Sequence, residues 1–241
     1  MDNNKVDILA FAAHPDDVEL ACSGTLIKHI NAGLKVAIVD LTQGDLGTRG
    51  SIEIREKEAM DSAKIMGLSA RENLKMPDGF FEETEENLKK VIYAIRKYQP
   101  EVIFANAIDD RHPDHGRGSD IVSRASFLSG LIRIETLENG KKQDPWRAKN
   151  IYHYIQYRYI KPDFVVDVTA EWETKIQAIK AFKSQFYDPN SNEPETLIAS
   201  SQFLNYINAR GVEFGSSIEV PYGEGFTAER PLQVQSVLNL Q

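Results

Sequence analysis

The 241-residue chain reads as an α/β protein, a Rossmann-like three-layer sandwich with a mostly parallel central sheet. Three observations predict this. Short, almost wholly apolar runs recur at residues 6–12 (VDILAFA), 35–41 (KVAIVDL) and 102–105 (VIFA), as strands buried on both faces require. Segments with helical spacing separate them. The break from each strand to the next helix is a polar loop, the usual place for a ligand in such sheets.

Taken in order, residues 6–12 are the first strand and 13–19 the loop after it. Leu26, Ile27 and Ile30 then recur at helical spacing over about 23–32, and Gly33 ends that helix as a C-terminal glycine should. The strand at 35–41 empties into the glycine-rich TQGDLGTRGS, and a long helix follows over about 52–66, stopped by Gly67. A helix at about 85–98 ends before Pro100, the strand 102–105 follows, and a polar loop at 106–118 leads into a helix to about residue 131. The second half is less regular, with strands at 151–156 and 164–168 and helices at 171–184 and about 197–210. No repeat or Pro/Ser-rich linker interrupts the chain, so one domain over 1–241 is expected.

The 28 Lys+Arg against 36 Asp+Glu give a net charge of −8, which argues against a surface made to neutralise nucleic-acid phosphates or anionic lipid. Cys22 is the only cysteine, which excludes an internal disulfide and a thiolate-dominated zinc site and fits a reducing compartment. The N-terminal apolar run is too short to span a membrane and lacks the flanks of an export signal, so a cytoplasmic protein with no membrane partner is expected.

Three of the five histidines fall in two loops, each after an apolar strand: Ala13-His14-Pro15-Asp16-Asp17 and Asp109-Asp110-Arg111-His112-Pro113-Asp114-His115-Gly116. In a parallel sheet both loops sit at the carboxyl edge and can meet across one crevice. Two imidazoles and one carboxylate from them make a three-ligand zinc site with a position left for water. A spare carboxylate can then act as general base and a spare imidazole can donate to an oxyanion or a leaving nitrogen. Spacing alone does not tell Asp16 from Asp17. The bland reading is that Asp17 caps a helix and that residues 113–116 form a turn. A 2-His-1-carboxylate iron site is a rival, although such sites are usually mounted on antiparallel β scaffolds. A nicotinamide cofactor is disfavoured, because AHPDD stands where its glycines would be.

AHPDD after the first strand, TQGDLGTRG after the second, the arginine of GSIEIREKEA and DDRHPDHG after a later strand resemble the PIG-L/LmbE-like family of zinc-dependent N-deacetylases. The similarity resumes at KPDFVVDV and YGEGF, and is greatest to the bacterial bacillithiol-biosynthesis deacetylases, which remove acetyl from N-acetylglucosaminyl-malate. The resemblance implies a hydrolase of an N-acetyl sugar conjugate, with Zn²⁺ on His14, Asp17 and His115, Asp16 as general base and His112 as oxyanion or general-acid partner. It also implies substrate contacts from Arg55, with Arg49 and Glu224 as further candidates, and a homo-oligomer, a hexamer being one candidate. Asp110 is the candidate to orient a ligand imidazole. The alternatives are an amidase of thiol S-conjugates, a deacetylase of another N-acetyl sugar, or a metal-binding protein without catalysis, for which Asp16 and His112 would be superfluous. The alternative for Arg55 is a pair with Glu53 or Glu58, YGEGF reads as a late loop, and Cys22, His29 and His153 read as structural. The polar stretch FYDPNSNEPETLIASSQF (186–203) reads as a surface loop bordering the substrate mouth.

Overall fold

The computed structural model describes residues 4–186 and 192–239. In chain order the elements are β1 (Ile8–Ala12), α1 (Asp17–Ala21), α2 (Ser23–Asn31), β2 (Val36–Thr42), α3 (Ile52–Met66), β3 (Ala70–Met76), α4 (Glu85–Tyr98), β4 (Val102–Ala105) and α5 (Pro113–Ser129). Then come the short strands β5 (Leu137–Glu138) and β6 (Lys141–Lys142), β7 (Asn150–Tyr154), β8 (Phe164–Asp167), α6 (Trp172–Lys180), α7 (Phe203–Ser216) and β9 (Gly223–Ala228). The main sheet has seven strands in the order β3-β2-β1-β4-β7-β9-β8, parallel except that β9 runs against both its neighbours.

The apolar strands are buried on both sides because successive side chains point to opposite faces. On β1, Leu9 and Phe11 enter one core with Val91, Ile95 and Ile121 of α4 and α5, while Ile8, Ala10 and Ala12 enter the other with Val18, Leu26 and Ala178 of α1, α2 and α6. Helices therefore cover both faces, and the three-layer α/β architecture is as the sequence predicts. After β1 the chain builds outward through β2 and β3, then returns to add β4 on the other side of β1. Their carboxyl ends flank the point where the strand order reverses, which is where a crevice opens in a doubly wound sheet. Among the described residues no helix is long and apolar enough to cross a membrane.

Several elements differ from the sequence reading. The loops carrying the histidines are shorter than expected, because α1 already begins at Asp17 and α5 at Pro113; Pro is well suited to the first helical position, where its missing N–H costs nothing. No strand is expected at ARENLKM, yet β3 forms there as an edge strand. Leu74 and Met76 face a core while Arg71 spans the other side to Asp40 and Glu19, so no apolar run marks it. YGEGF, read as a late loop, is mostly β9. Its glycines answer to packing: a Cβ on Gly225 would stand 2.8 Å from the Phe214 ring of α7. The last helix, expected over about 197–210, is α7 at Phe203–Ser216. Of the polar stretch 186–203, residues 187–191 lie outside the described residues.

Candidate active site and metal centre

The loop after β1 is held by its neighbours before any ligand is considered. Ala13 N donates to Asn106 Oδ1 at 2.8 Å, and Thr42, at the end of β2, donates through its backbone N–H and its hydroxyl to Ala13 O. Asp16 is then forced to φ 124°, a conformation that costs a non-glycine residue about 1–3 kcal/mol. It occupies the N-cap of α1 but makes no side-chain capping bond. Its carboxylate instead faces the cleft, with Arg55 3.7 Å away. Asp17, one residue on, opens α1 and accepts the His14 N–H at 2.9 Å. The adjacent aspartates thus point differently, which sequence spacing left open.

The second loop delivers its histidines at a helix start. His112 is the N-cap of α5, its Nδ1 accepting the Asp114 N–H at 3.2 Å. That bond assigns the ring proton to Nε2, which leaves a donor free of the backbone. Burial and the neighbouring His14 and His115 hold the His112 pKa below its ordinary value. His115, in the first turn, is fixed by Asp110, whose Oδ2 lies 2.7 Å from Nδ1. Asp110 is in turn held by the backbone N–H groups of Arg158 (2.8 Å) and Tyr157 (3.3 Å). Asp110 therefore contacts the imidazole of His115 from behind.

Asp17 sits between the two expected ligand histidines: Oδ1 is 3.1 Å from His115 Nε2 and Oδ2 is 3.7 Å from His14 Nδ1. Donors on one tetrahedral zinc, with bonds of about 2.0–2.1 Å, stand about 3.3 Å apart, so these separations suit a shared small cation. The far nitrogen of each imidazole is tied to carboxylate, His115 to Asp110 and His14 Nε2 to Asp78 (2.9 Å) and Asp114 (3.3 Å). Such partners are the usual supports of metal-ligating histidines. Donor atoms of His14, His112 and His115 also fall within 4.8 Å of one another, as do those of His14, Asp78 and Asp114. His112 spends Nδ1 on the helix start and Asp78 and Asp114 hold the back of His14, which leaves Asp17 as a further candidate donor between His14 and His115.

The electrostatics fit the same set. Burial raises the Asp17 carboxyl, but His115 and His14 outweigh it and hold it well below the carboxylate range. Burial lowers His115, but Asp17 and Asp110 carry it up to about 9. Burial, with Asp17 adding to it against Arg55, pushes Asp16 up to about 7. Five buried carboxylates, Asp16, Asp17, Asp78, Asp110 and Asp114, face mainly imidazoles. Such a set of carboxylates and imidazoles is one that a divalent cation can occupy.

The cleft, about 230 Å³, is lined by His14, Asp16, Asp17, Arg55, His112 and His115. The expected substrate residues fare differently. Arg55 lines the cleft but pairs with neither Glu53 nor Glu58. It donates to Gly44 O at 3.0 Å and Pro15 O at 2.8 Å, pinning two loops behind Asp16. Arg49 is buried and bonded to Glu193. Glu224 is not at the cleft: both its oxygens accept from the start of α2, at Gly24 N and Thr25 N, and Oε1 also takes Lys175 Nζ. Sequence reasoning missed Asp78, Asn106 and Gln156. With β3 recognised, the MPDG turn after it becomes a third carboxyl-edge loop and Asp78 its acidic residue.

Comparison with known proteins agrees. The PIG-L family model, described as GlcNAc-PI de-N-acetylase, matches residues 9–126. The conserved protein TT1542 of Thermus thermophilus is 32% identical with a TM-score of 0.85, covering 96% of this chain and 98% of its own. A diacetylchitobiose deacetylase of Thermococcus kodakarensis is 27% identical over 76% of this chain and 72% of its own length. A probable N-acetyl-α-D-glucosaminyl L-malate deacetylase of Bacillus anthracis is 26% identical over 76% and 83%. With the HPDD and HPDH loops brought together in this fold, the chain belongs to the PIG-L family of deacetylases.

Proposed function

We propose that this chain hydrolyses the acetamide of an N-acetylglucosamine conjugate, with a zinc ion held by His14, Asp17 and His115. The observation that carries the reading is Asp17 lying between two imidazoles, each braced from behind by carboxylate, with a second carboxylate, Asp16, beside it and outside the bracing. When bound, the ion supplies Lewis-acid polarisation of the acetyl carbonyl and acidifies the attacking water. Asp16 takes the proton of that water. Its raised pKa suits it to accept a proton and pass it on near neutrality. His112, with its proton on Nε2, donates to the developing oxyanion or to the departing nitrogen. Arg55 keeps Asp16 in place through Pro15 O and tempers its charge. Acetate and the free amine leave.

For the aglycone we favour malate. Arg111 lines the cleft, lies over the Tyr157 ring and has no carboxylate partner among the described residues, so an acidic substituent meets a cation there. The relatives named for chitobiose and for the malate conjugate supply the two candidates. One sheet joins β1–β4 to β7–β9, which supports reading 1–241 as one domain. The test is acetate release by zinc-loaded protein from N-acetylglucosaminyl-malate, N,N′-diacetylchitobiose and N-acetylglucosamine. The malate conjugate should give the highest kcat/KM. A preference for chitobiose overturns the aglycone, and no acetate from any of the three overturns the reaction.

A further inference from the structure

Both oxygens of Asp17, at the start of α1, accept from side-chain amides in the loops that follow two other strands. Asn106, just past β4 and fully buried, donates Nδ2 to Oδ2 at 3.0 Å, and Gln156, just past β7, donates Nε2 to Oδ1 at 2.7 Å. The Asn106 amide is fixed in orientation, because its Oδ1 accepts the Ala13 N–H. Gln156 begins a short segment that supports the second histidine as well: the next two backbone N–H groups, of Tyr157 and Arg158, hold Asp110, which holds His115. Arg210 of α7 fastens that segment from outside, donating to Tyr157 O at 3.0 Å and Arg158 O at 3.3 Å. All of residues 156–158 and Arg210 lie beyond the 9–126 stretch that matches the family model.

We infer that Gln156 and Asn106 are positioning residues for the metal centre: neutral amide clamps that aim the two Asp17 oxygens, with the second half of the chain completing a site whose ligands all come from the first. Amides suit the task because a carboxylate partner would repel Asp17, and a cationic one would compete with the metal for it. The inference rests on Asp17 being a zinc ligand, as proposed above. The consequence is geometric. Without Gln156, Oδ1 keeps only the His115 contact and the carboxylate is free to rotate, so the donor set loses its preset shape.

The full-length protein is tested by equilibrium competition for zinc against a chromophoric chelator, and by the visible spectrum of its cobalt(II)-substituted form. Gln156→Leu should weaken zinc binding by roughly 10- to 100-fold and shift the cobalt bands, with the far-UV circular dichroism of the metal-free protein unchanged. Gln156→Met, which also lacks the donor, carries the same expectation should the leucine variant not fold. Asn106→Asp keeps the acceptor for Ala13 N–H but replaces the donor with a charge, and should lose more zinc than either. Unchanged zinc affinity and cobalt spectrum in the Gln156 variants overturn the inference. Asp17→Ala separates the two readings. If it retains zinc, the ligand assignment itself falls and this inference with it; if it loses zinc while the Gln156 variants keep theirs, only the positioning role falls.

Discussion

Asp17 and Glu19 stand two residues apart on α1, both buried, and belong to two clusters of charge that are settled in opposite ways. Residues so spaced leave a helix on different sides. Glu19 turns away from the cleft to Ser62 and to Arg71, and Arg71 forks onto Asp40 at 2.8 and 2.9 Å; Glu224 of β9 meets Lys175 and the start of α2. Each of those carboxylates stands against a fixed cation of the protein, Arg71 or Lys175. Around Asp17, by contrast, five carboxylates share imidazoles, one buried Arg55 and the rim residue Arg117. The difference teaches how to tell structural charge from functional charge in one protein: the first kind balances within the chain, the second only with something added.

The largest expected effect comes from Asp16, the member of the second cluster that is paired with Arg55 and with no imidazole. Asp16→Asn keeps the side chain's size and the strained backbone but cannot accept the water's proton. We expect a loss of roughly 10²- to 10⁴-fold in kcat, with zinc retained as measured by elemental analysis. A variant that keeps its rate would remove Asp16 from the chemistry and leave it as a mere charge beside Arg55.

Lys175→Met breaks the self-balanced cluster instead. Lys175 is 1% exposed and Glu224 2%, so the substitution strands a carboxylate in the core and should lower unfolding stability by about 3–5 kcal/mol, seen as a lower urea midpoint. The kcat of the folded fraction should hold. If KM for the sugar conjugate rises while stability does not fall, Glu224 touches substrate after all and the two clusters are one.

The same contrast explains what could be read from the sequence. The buried strands and both histidine loops were legible because the apolar runs are unbroken and because His and Asp beside each other after a strand have few structural uses. Three helices were legible nearly to the residue, since each ends on a glycine or before a proline that forbids continuation, as at Gly33, Gly67 and Pro100. β3 was not, because its strand character comes from pairing with β2 and its polar residues are spent on Arg71 and Glu72 contacts. β9 was not, because its glycines signal a turn until α7 is seen lying on them. That Asp16 and Asp17 point in different directions needed a φ angle, and Gln156 needed the register of β7 against β4.

Asp110→Asn probes a member of the second cluster that sits behind His115 and does not line the cleft. Its size is preserved and its charge removed, so His115 loses a charged acceptor at 2.7 Å. Zinc affinity should fall by roughly 10- to 100-fold by chelator competition, and the metal-free protein should lose about 1–3 kcal/mol, because an amide NH2 replaces one acceptor of backbone N–H groups. Undiminished affinity would mean that the helix start alone fixes His115.

Arg117→Ala should have the smallest effect, and it tests the accounting most directly. Arg117 reaches Asp114 Oδ1 at 3.1 Å, but its side chain is 46% exposed while Asp114 is fully buried. A pair screened on one side contributes only about 0.2–1 kcal/mol and fades with salt. If the cluster's negative charge is there for an added cation, removing this rim arginine leaves zinc affinity nearly unchanged or slightly higher, since one competitor for Asp114 is gone. A fall in zinc affinity as large as that of Asp110→Asn would show instead that Arg117 balances the site from within the chain. The cluster around Asp17 would then belong with the one around Glu19.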